Sequence, residues 1–517
     1  MNFIEKLKQA LNLTDEQYQE MIIPSSSLEI ENPDNFINID IATKRIFSAI
    51  ENNEPIMIYG DYDCDGICST SILVNTFNKL KYKVGYYIPS RYSDGYGINV
   101  DMVNKIAEKG YKVIITVDNG VSQMEALTLA KEKGIDVILT DHHEILNEVP
   151  PCYTIVHPFF KKKEILPQCG AYVSFMLSIK LLGEIDDYLL SLASLATISD
   201  MMPLVKENRT IVKKGIEAIS SNHFVHFYRL ALGEVDEKEL SFSIAPKINA
   251  IGRVKEDTSV NKVVKYFTAT EAKDISKLAL YIDETNEERK SICSLAYNSL
   301  QIDNSLDKVI VVLFEDLKEG LIGLVASRIL NNYNKPTIVF TKANNGLLKG
   351  SGRSLEGFSL AQSFKELEDI IEVYGGHALA GGLSIKEENF NLFKERINLL
   401  AQDKIIKPKE KKIIPLEKEE FTYENYLELR KLSPFGEGNE EPYFSYTIEC
   451  SQIKYIGNRK QHAKGTINDN CSFICFNADK DLIASCKKVK LVGKIERDSY
   501  IGYHNLTFNV NEIIRED

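Results

Sequence analysis

The 517-residue chain contains no tryptophan, so any aromatic stacking surface has to be built from tyrosine or phenylalanine. Its nine cysteines are odd in number, scattered, and nowhere spaced Cys-x-x-Cys. That argues against a disulfide framework and a zinc site, and reduced, mostly buried thiols are expected. No stretch approaches the roughly 18 uncharged apolar residues of a membrane span. Charges also interrupt the apolar positions of Met1-Asn2-Phe3-Ile4-Glu5-Lys6-Leu7, which lacks the apolar core of a signal peptide. A cytoplasmic protein with no membrane partner is expected. Positive charge is short too: Lys and Arg total 62 against 74 Asp and Glu, a net charge of −12. Nucleic-acid binding normally shows as a basic footprint, so this balance argues mildly against it. The average hides a local excess, because Arg328, Lys335, Lys342, Lys349 and Arg353 occur between Leu321 and Ser354 without an intervening acid. Such a run reads either as a phosphate-binding groove or as a solvated positive face.

What is present is a series of acidic and imidazole clusters placed where strands end: Asp61-Tyr62-Asp63-Cys64-Asp65-Gly66, Asp118-Asn119-Gly120, Asp141-His142-His143, His157 and Asp200. The first three follow apolar runs of strand length, Ile56 to Tyr59, Val113 to Val117 and Val137 to Leu139, and precede helical patterns. Their carboxylates should therefore gather at one edge of a parallel sheet, where they repel unless cations lie between them. In the first cluster the alternating acids would face one side if the backbone stayed extended, with Gly66 allowing a sharp turn into the next helix. An EF-hand loop is the competing reading, but Ile72 stands where its Glu at position 12 is needed. Asp118-Asn119-Gly120 alone is an ordinary strand-to-helix turn. Adjacent histidines preceded by an acid favour a first-row ion such as Mn²⁺ over Ca²⁺. Asp200 fits a ligand at a helix end and a plain helix stop equally well.

The alternation of strands and helices over 41–215 predicts a doubly wound parallel α/β domain. Residues 1–40 read as an N-terminal arm with a helix capped by Thr14 and Gln17, 216–300 as a helical connector, and 301–403 as a second α/β domain. A Lys- and Glu-dense linker and helix at 404–439 lead to short alternating strands over 440–517, which suit an OB-fold-like β-barrel.

Together the clusters resemble the DHH phosphoesterase superfamily, named for a triplet found here as Asp141-His142-His143. Tyr59 to Gly66, Thr116 to Gly120, Thr140 to His143 and Ile198 to Leu204 are similar to its motifs I to IV in order. Lys247 to Arg253, Gly323 to Arg328, Gly350-Ser351-Gly352-Arg353-Ser354 and Gly375-Gly376-His377-Ala378 resemble the RecJ family of single-stranded-DNA exonucleases in particular, which makes the second α/β domain DHHA1-like. The resemblance implies two Mn²⁺ or Mg²⁺ ions bound by Asp63, Asp65, Asp118, His142 and Asp200, with Asp118 as the bridge. Asp61, Asp141 and His143 would complete the site, His143 donating to a phosphate oxygen. Two cations about 4 Å apart acidify a bridging water and stabilise both oxygens of an in-line displacement at phosphorus.

The resemblance also implies that Ser351, Gly352 and Arg353 take a terminal phosphate, that Gly376 lets backbone approach the nucleotide, and that His377 bonds the scissile phosphate. Asn249, Arg253 and Arg328 are candidates for strand contacts, with structural ion pairing the alternative for each. Lys454, Tyr455, Arg459, Lys460 and Lys464 of the barrel would add stacking and phosphate contacts. Leu317 and Lys318 stand where many relatives carry Trp and His, Lys247 replaces an Arg, His157 an Asn, and Tyr500 stands in a barrel without Trp; these departures bear on DNA affinity more than on hydrolysis. The implied activity is processive 5′ to 3′ hydrolysis of single-stranded DNA to mononucleotides in recombination and repair, with a helicase and a single-strand-binding protein as partners. A phosphodiesterase for short oligoribonucleotides or cyclic dinucleotides, and a non-catalytic scaffold, are the rival readings.

Overall fold

The structure, a computed structural model, describes residues 2–145, 148–162, 164–300, 307–343, 346–407, 411–498 and 504–516. The chain forms two compact units. One comprises Ile30–Met202 with Thr210–Lys409, the other Met1–Glu29, Pro203–Arg209 and Glu410–Asp517. Tyr500 lies outside the described residues.

In the larger unit, apolar runs give five strands: β1 (Ile56–Tyr59), β2 (Gly85–Tyr87), β3 (Val113–Val117), β4 (Asp136–Thr140) and β5 (Thr154–Val156). They are all parallel and ordered β2-β1-β3-β4-β5. β1 and β3 are buried at every position, as a sheet covered by helices on both faces requires. This order reverses direction between β1 and β3, so the crevice at their carboxyl ends is the natural ligand site. The acidic clusters at 61–66 and 118–120 flank that crevice, and the one at 141–143 follows the neighbouring β4.

A mostly helical stretch follows, including the run Glu237–Val254 and the 27-residue helix Ala272–Asn298. The second sheet holds β6 (Ile310–Phe314), β7 (Thr337–Lys342), β8 (Leu347–Arg353), β9 (Val373–Gly376) and β10 (Ala380–Lys386). Its order is β6-β7-β8-β10-β9, with only β6 and β7 parallel.

The smaller unit is built on a seven-stranded sheet of β11 (Ile413–Pro415), β12 (Tyr443–Glu449), β13 (Lys454–Ile456), β14 (His462–Asn468), β15 (Cys471–Cys475), β16 (Lys488–Arg497) and β17 (Leu506–Arg515). The stretch read as a linker thus contains the strand β11, because Ile414 and Leu416 are buried in the barrel's core. The N-terminal arm is likewise structured. Asn2 and Thr14 both close capping boxes, giving helices Phe3–Leu11 and Asp15–Met21. Their buried Phe3, Leu7 and Tyr18 join the core of the same barrel.

Candidate metal centre

Asp63 is the N-cap of the Cys64–Lys79 helix, its carboxylate accepting from the N–H groups of Asp65 at 2.9 Å and Gly66 at 3.1 Å. Because the helix starts at Cys64, the alternating acids do not stay on one extended edge. Asp61 and Asp63 approach Asp118, whereas Asp65, the second residue of the helix, lies with His142 and Asp200. Gly66 serves close packing rather than a sharp turn: a Cβ there would stand 2.5 Å from the Asp61 carbonyl oxygen.

The Asp65 carboxylate is held by the N–H groups of Gly170 at 2.6 Å and Ala171 at 2.7 Å, at the start of the Gly170–Leu182 helix, where the helix dipole favours an anion. That start is fixed by a buried network: Lys161 donates to Glu31 at 2.6 Å and to Gln168 at 2.9 Å, and the Tyr172 hydroxyl donates to Glu31 at 2.8 Å. Asp118 adopts φ of +61°, in the left-handed region that Asp tolerates better than most residues. Asn119 secures this turn by donating to the carbonyls of Tyr59 at 3.1 Å and Val117 at 2.9 Å.

His142 Nε2 lies 3.1 Å from Asp118 Oδ1, 3.6 Å from Asp200 Oδ2 and 3.7 Å from Asp65 Oδ2. Asp141 stands behind the histidines. It accepts from Val121 N–H at 3.0 Å, His142 N–H at 2.7 Å and the His143 ring at 2.7 Å. Burial opposes its ionisation, but the bond from His143 and that ring's charge hold it down at about 2. Burial likewise opposes protonation of His143, but Asp141 outweighs it and raises the ring to about 9. Asp141 therefore orients His143, and the Tyr96 hydroxyl lies 3.2 Å from the same Nδ1 and 3.3 Å from Nε2. His157 is a support, not a ligand candidate: its Nδ1 accepts from Phe159 N–H at 3.1 Å and its Nε2 lies 3.0 Å from the His143 carbonyl.

Three overlapping groups result: Asp61, Asp63 and Asp118; Asp118, His142 and His143; and Asp65, His142 and Asp200. In each, ligand atoms lie within 4.8 Å of one another. Burial, then the charges of Asp65 and the other neighbouring carboxylates, push Asp118 well above the carboxylate range; burial and Asp63 do the same to Asp61. Burial and Asp65 raise Asp200 to about 8. Asp61 Oδ1, Asp118 Oδ1 and Asp200 Oδ2 are buried without a hydrogen-bond partner among the described residues. Orphaned acceptors in crowded acids, joined by imidazole nitrogen, are the donor set of a divalent first-row cation. Asp118 is common to two of the groups and lies beside His142.

Beside this cluster stand four arginines. The Arg91 guanidinium lies 4.2 Å above the Tyr62 ring, and Arg353 Nη1 donates to the Gly352 carbonyl at 2.8 Å and to Ser351 Oγ at 3.2 Å. Arg253 donates to the Gly320 carbonyl at 3.2 Å. Burial and then the charge of Arg91 lower it to about 10, against the pull of Asp63, with Arg353 and Arg289 also bearing on it. None of the four pairs with a carboxylate among the described residues, and the buried Nε atoms of Arg91 and Arg289 have no hydrogen-bond partner.

Asn249 reaches motif I itself, its Oδ1 accepting from Cys64 N–H at 2.8 Å. Gly376, at φ of +127°, and the exposed His377 form the β9–β10 hairpin, where Gly381 faces Gly376 across one pair and Gly352 across the other. Arg328 instead packs 4.2 Å over Tyr297 and donates to Ser294. In the rest of the basic run, Lys342 pairs with Glu315 and Glu387, and Lys349 with Glu319. Of the departures, Lys318 donates to the Val254 carbonyl and Lys247 pairs with Asp283. The barrel candidates Lys454 and Lys464 face each other across β13 and β14, and Lys480 lies over Tyr455.

Arg91, Tyr96, Gly170 and Arg289 were not marked by sequence reading. The run Ser90-Arg91-Tyr92-Ser93-Asp94-Gly95-Tyr96-Gly97 after β2, aromatic and glycine-bearing at a sheet's carboxyl edge, is the signal that could have found two of them.

Family comparisons agree with this geometry. Residues 55–197 match the DHH family N-terminal domain, 306–403 the DHHA1 domain and 414–512 the RecJ OB domain. The chain is 35% identical over 483 residues to the single-stranded-DNA-specific exonuclease RecJ of Bacillus subtilis, covering 88% of this chain but only 60% of that protein. It is 30% identical over 532 residues to RecJ of Haemophilus influenzae, covering 93% of this chain and 91% of that protein. The crystal structure of Thermus thermophilus RecJ in complex with Mn²⁺ superposes with a TM-score of 0.84 at 26% identity, covering 99% of this chain and 78% of that one; its Mg²⁺ complex gives 0.77. Acids crowded at the switch point, the three matched domains and near full-length similarity to the Haemophilus protein lead to one conclusion: the chain belongs to the RecJ family of DHH exonucleases.

Proposed function

We propose that the protein is a metal-dependent exonuclease that hydrolyses single-stranded DNA from its 5′ end to mononucleotides. The observation that carries this reading is the set of four arginines without carboxylate partners beside the crowded acids of the candidate metal centre. A terminal phosphomonoester carries about −1.5 to −2 charges near neutrality and an internal diester only one, so such a pocket selects a strand end. The polarity and the mononucleotide product rest on the resemblance to RecJ.

Asp63, Asp65, Asp118, His142 and Asp200 would hold two Mn²⁺ or Mg²⁺ ions, and Asp61 would close the site. Bound there, the ions supply a hydroxide near neutral pH and charge compensation at phosphorus. The chain's own residues do the rest. Arg353 and Arg253, with the Gly352 backbone and Ser351, would grip the terminal phosphate and so set which linkage lies over the acids. His143, kept protonated by Asp141, would donate to a non-bridging oxygen as negative charge grows there. Gly376 and His377 would close over the strand from the hairpin. A helicase and a single-strand-binding protein would present unwound DNA in the cytoplasm, in recombination and repair. No described helix is long and apolar enough to cross a membrane.

The test is a time course with Mn²⁺ on a 3′-labelled single strand beside duplex DNA and an RNA dinucleotide. Stepwise shortening of the single strand alone is expected; preferential cleavage of the dinucleotide would move the protein to the short-substrate phosphodiesterases. Asp118→Ala should abolish shortening while leaving strand binding largely intact, and retained turnover would contradict its shared role.

A further inference from the structure

The helical run Glu237–Val254 is not uniform. Its Leu240–Ile244 segment is π-helical, a form that recurs at functional sites. Between Phe242 and Val254 the side chains sort cleanly. Ser243, Ile244, Ala245, Lys247, Ile248, Ala250, Ile251, Gly252 and Val254 are buried, while Pro246, Asn249 and Arg253 are half-buried and Phe242 is exposed. That spacing of four, three and four residues is a single stripe on one helix face.

Two members of the stripe already belong to the site. Arg253 lies in the arginine cluster, and Asn249 touches the backbone of Cys64 beside Asp63. The helix is seated closely there, since a Cβ on Gly252 would stand 2.7 Å from the Tyr62 carbonyl. The stripe therefore has a direction: it starts at the terminal-phosphate pocket, passes the metal ligands and ends on Phe242, whose residue surface is 81% exposed. A lone exposed phenylalanine needs no explanation. One closing the stripe that carries Asn249 and Arg253 does. Phe242 is 11 positions from Arg253, roughly 16 Å along the helix, the length of about three to five nucleotides at spacings from stacked upward.

We infer that Phe242 is a stacking platform for a base of the single strand downstream of the scissile linkage, an inference that rests on the proposed exonuclease function and deepens it. The ring offers a face to any base, which suits a strand bound without sequence preference, and a duplex, whose bases are covered by their neighbours, cannot use it.

The experiment is an abasic-site scan. In Asp118→Ala protein, binding of a short 5′-phosphorylated strand is measured with one abasic site moved along successive positions from the 5′ end. Loss of at least about fivefold is expected at one or two adjacent positions, matching a single base stack. With Phe242→Ala added, the intact strand should bind as weakly as the abasic one and the position effect should vanish; Phe242→Tyr should restore both. In the otherwise unaltered enzyme with Mn²⁺, Phe242→Ala should raise KM for the strand by a similar factor, with Phe242→Tyr near the parent. If Phe242→Ala keeps the parent's affinity and KM, or the same abasic position still matters without the ring, the inference is wrong while the exonuclease reading stands. If the parent neither binds nor shortens single strands, both fall.

Discussion

At the scale of single residues, the site depends on contacts too close to tolerate a methyl group. A Cβ on Gly170 would lie 2.6 Å from the Asp118 Cβ, while the Gly170 N–H is a donor to Asp65. Gly170→Ala should therefore displace Asp118 and Asp65, and with them all three candidate ligand groups, and lower kcat by about 100-fold or more, the scale of effect expected of an ångström's misplacement. Steady-state cleavage of the labelled strand checks this, with circular dichroism confirming the fold. Arg353→Ala tests the other half of the site. It should weaken the preference for a 5′-phosphorylated over an unphosphorylated strand by roughly tenfold, as a lost charge-assisted contact would; equal loss on both substrates would contradict the pocket. The metal candidates were legible in the sequence because each follows a strand, and strands of a parallel sheet bring their carboxyl ends together. Their division between Asp61 with Asp63 and Asp65 with His142 was not legible, since it depends on the helix beginning at Cys64. Arg91 and Arg289 were hidden for a different reason. Arg91 is a lone cation in its segment and Arg289 sits in a charge-dense helix beside Glu287, Glu288 and Lys290, and only the tertiary fold brings them to Arg253.

At the scale of elements, the first helix shows how a weak local signal gains a tertiary partner. Phe3–Leu11 is only nine residues long, too short to be stable alone in water. It is held by Phe3 stacked on Phe444 at a centroid distance of 6.0 Å and by Leu7, which is wholly buried in the barrel's core. Leu7→Ala should cost about 2–5 kcal/mol. Hydrogen exchange should then quicken in β11 and β12, and unchanged protection would mean that the helix merely rests on the surface. The Thr14 cap could be read directly from Thr14 and Gln17. The preceding helix and the strand β11 could not, because both are short, charges interrupt the one (Glu5, Lys6, Lys8) and flank the other (Lys411, Lys412, Glu417), and only Phe3, Leu7, Ile414 and Leu416 there are buried in the core.

At the scale of the whole molecule, a net charge of −12 and binding of a polyanion are compatible because charge is distributed, not averaged. Acids such as Glu315, Glu387, Glu319 and Asp369 are met by Lys342, Lys349 and Arg396, while Arg91, Arg253, Arg289 and Arg353 pair with no carboxylate among the described residues. If those four carry the phosphate contacts, the logarithm of the binding constant of Asp118→Ala protein for a short strand should fall against the logarithm of salt concentration with a slope of about −3. A slope near zero would assign the affinity to stacking instead.

The smaller unit carries a further consequence, for the order of events during synthesis. Lys6 and Glu420, which meet in a 2.7 Å ion pair, are 414 residues apart in the chain. At ribosomal speeds of about 5–20 residues per second, Phe3, Leu7 and Tyr18 leave the tunnel some tens of seconds before the strands that will cover them exist. The larger unit can complete its sheets in that interval, and the smaller one cannot begin. Nascent chains interrupted before residue 413 would thus present an uncovered apolar N-terminal segment, a ready mark for chaperones and proteases that the finished protein no longer displays.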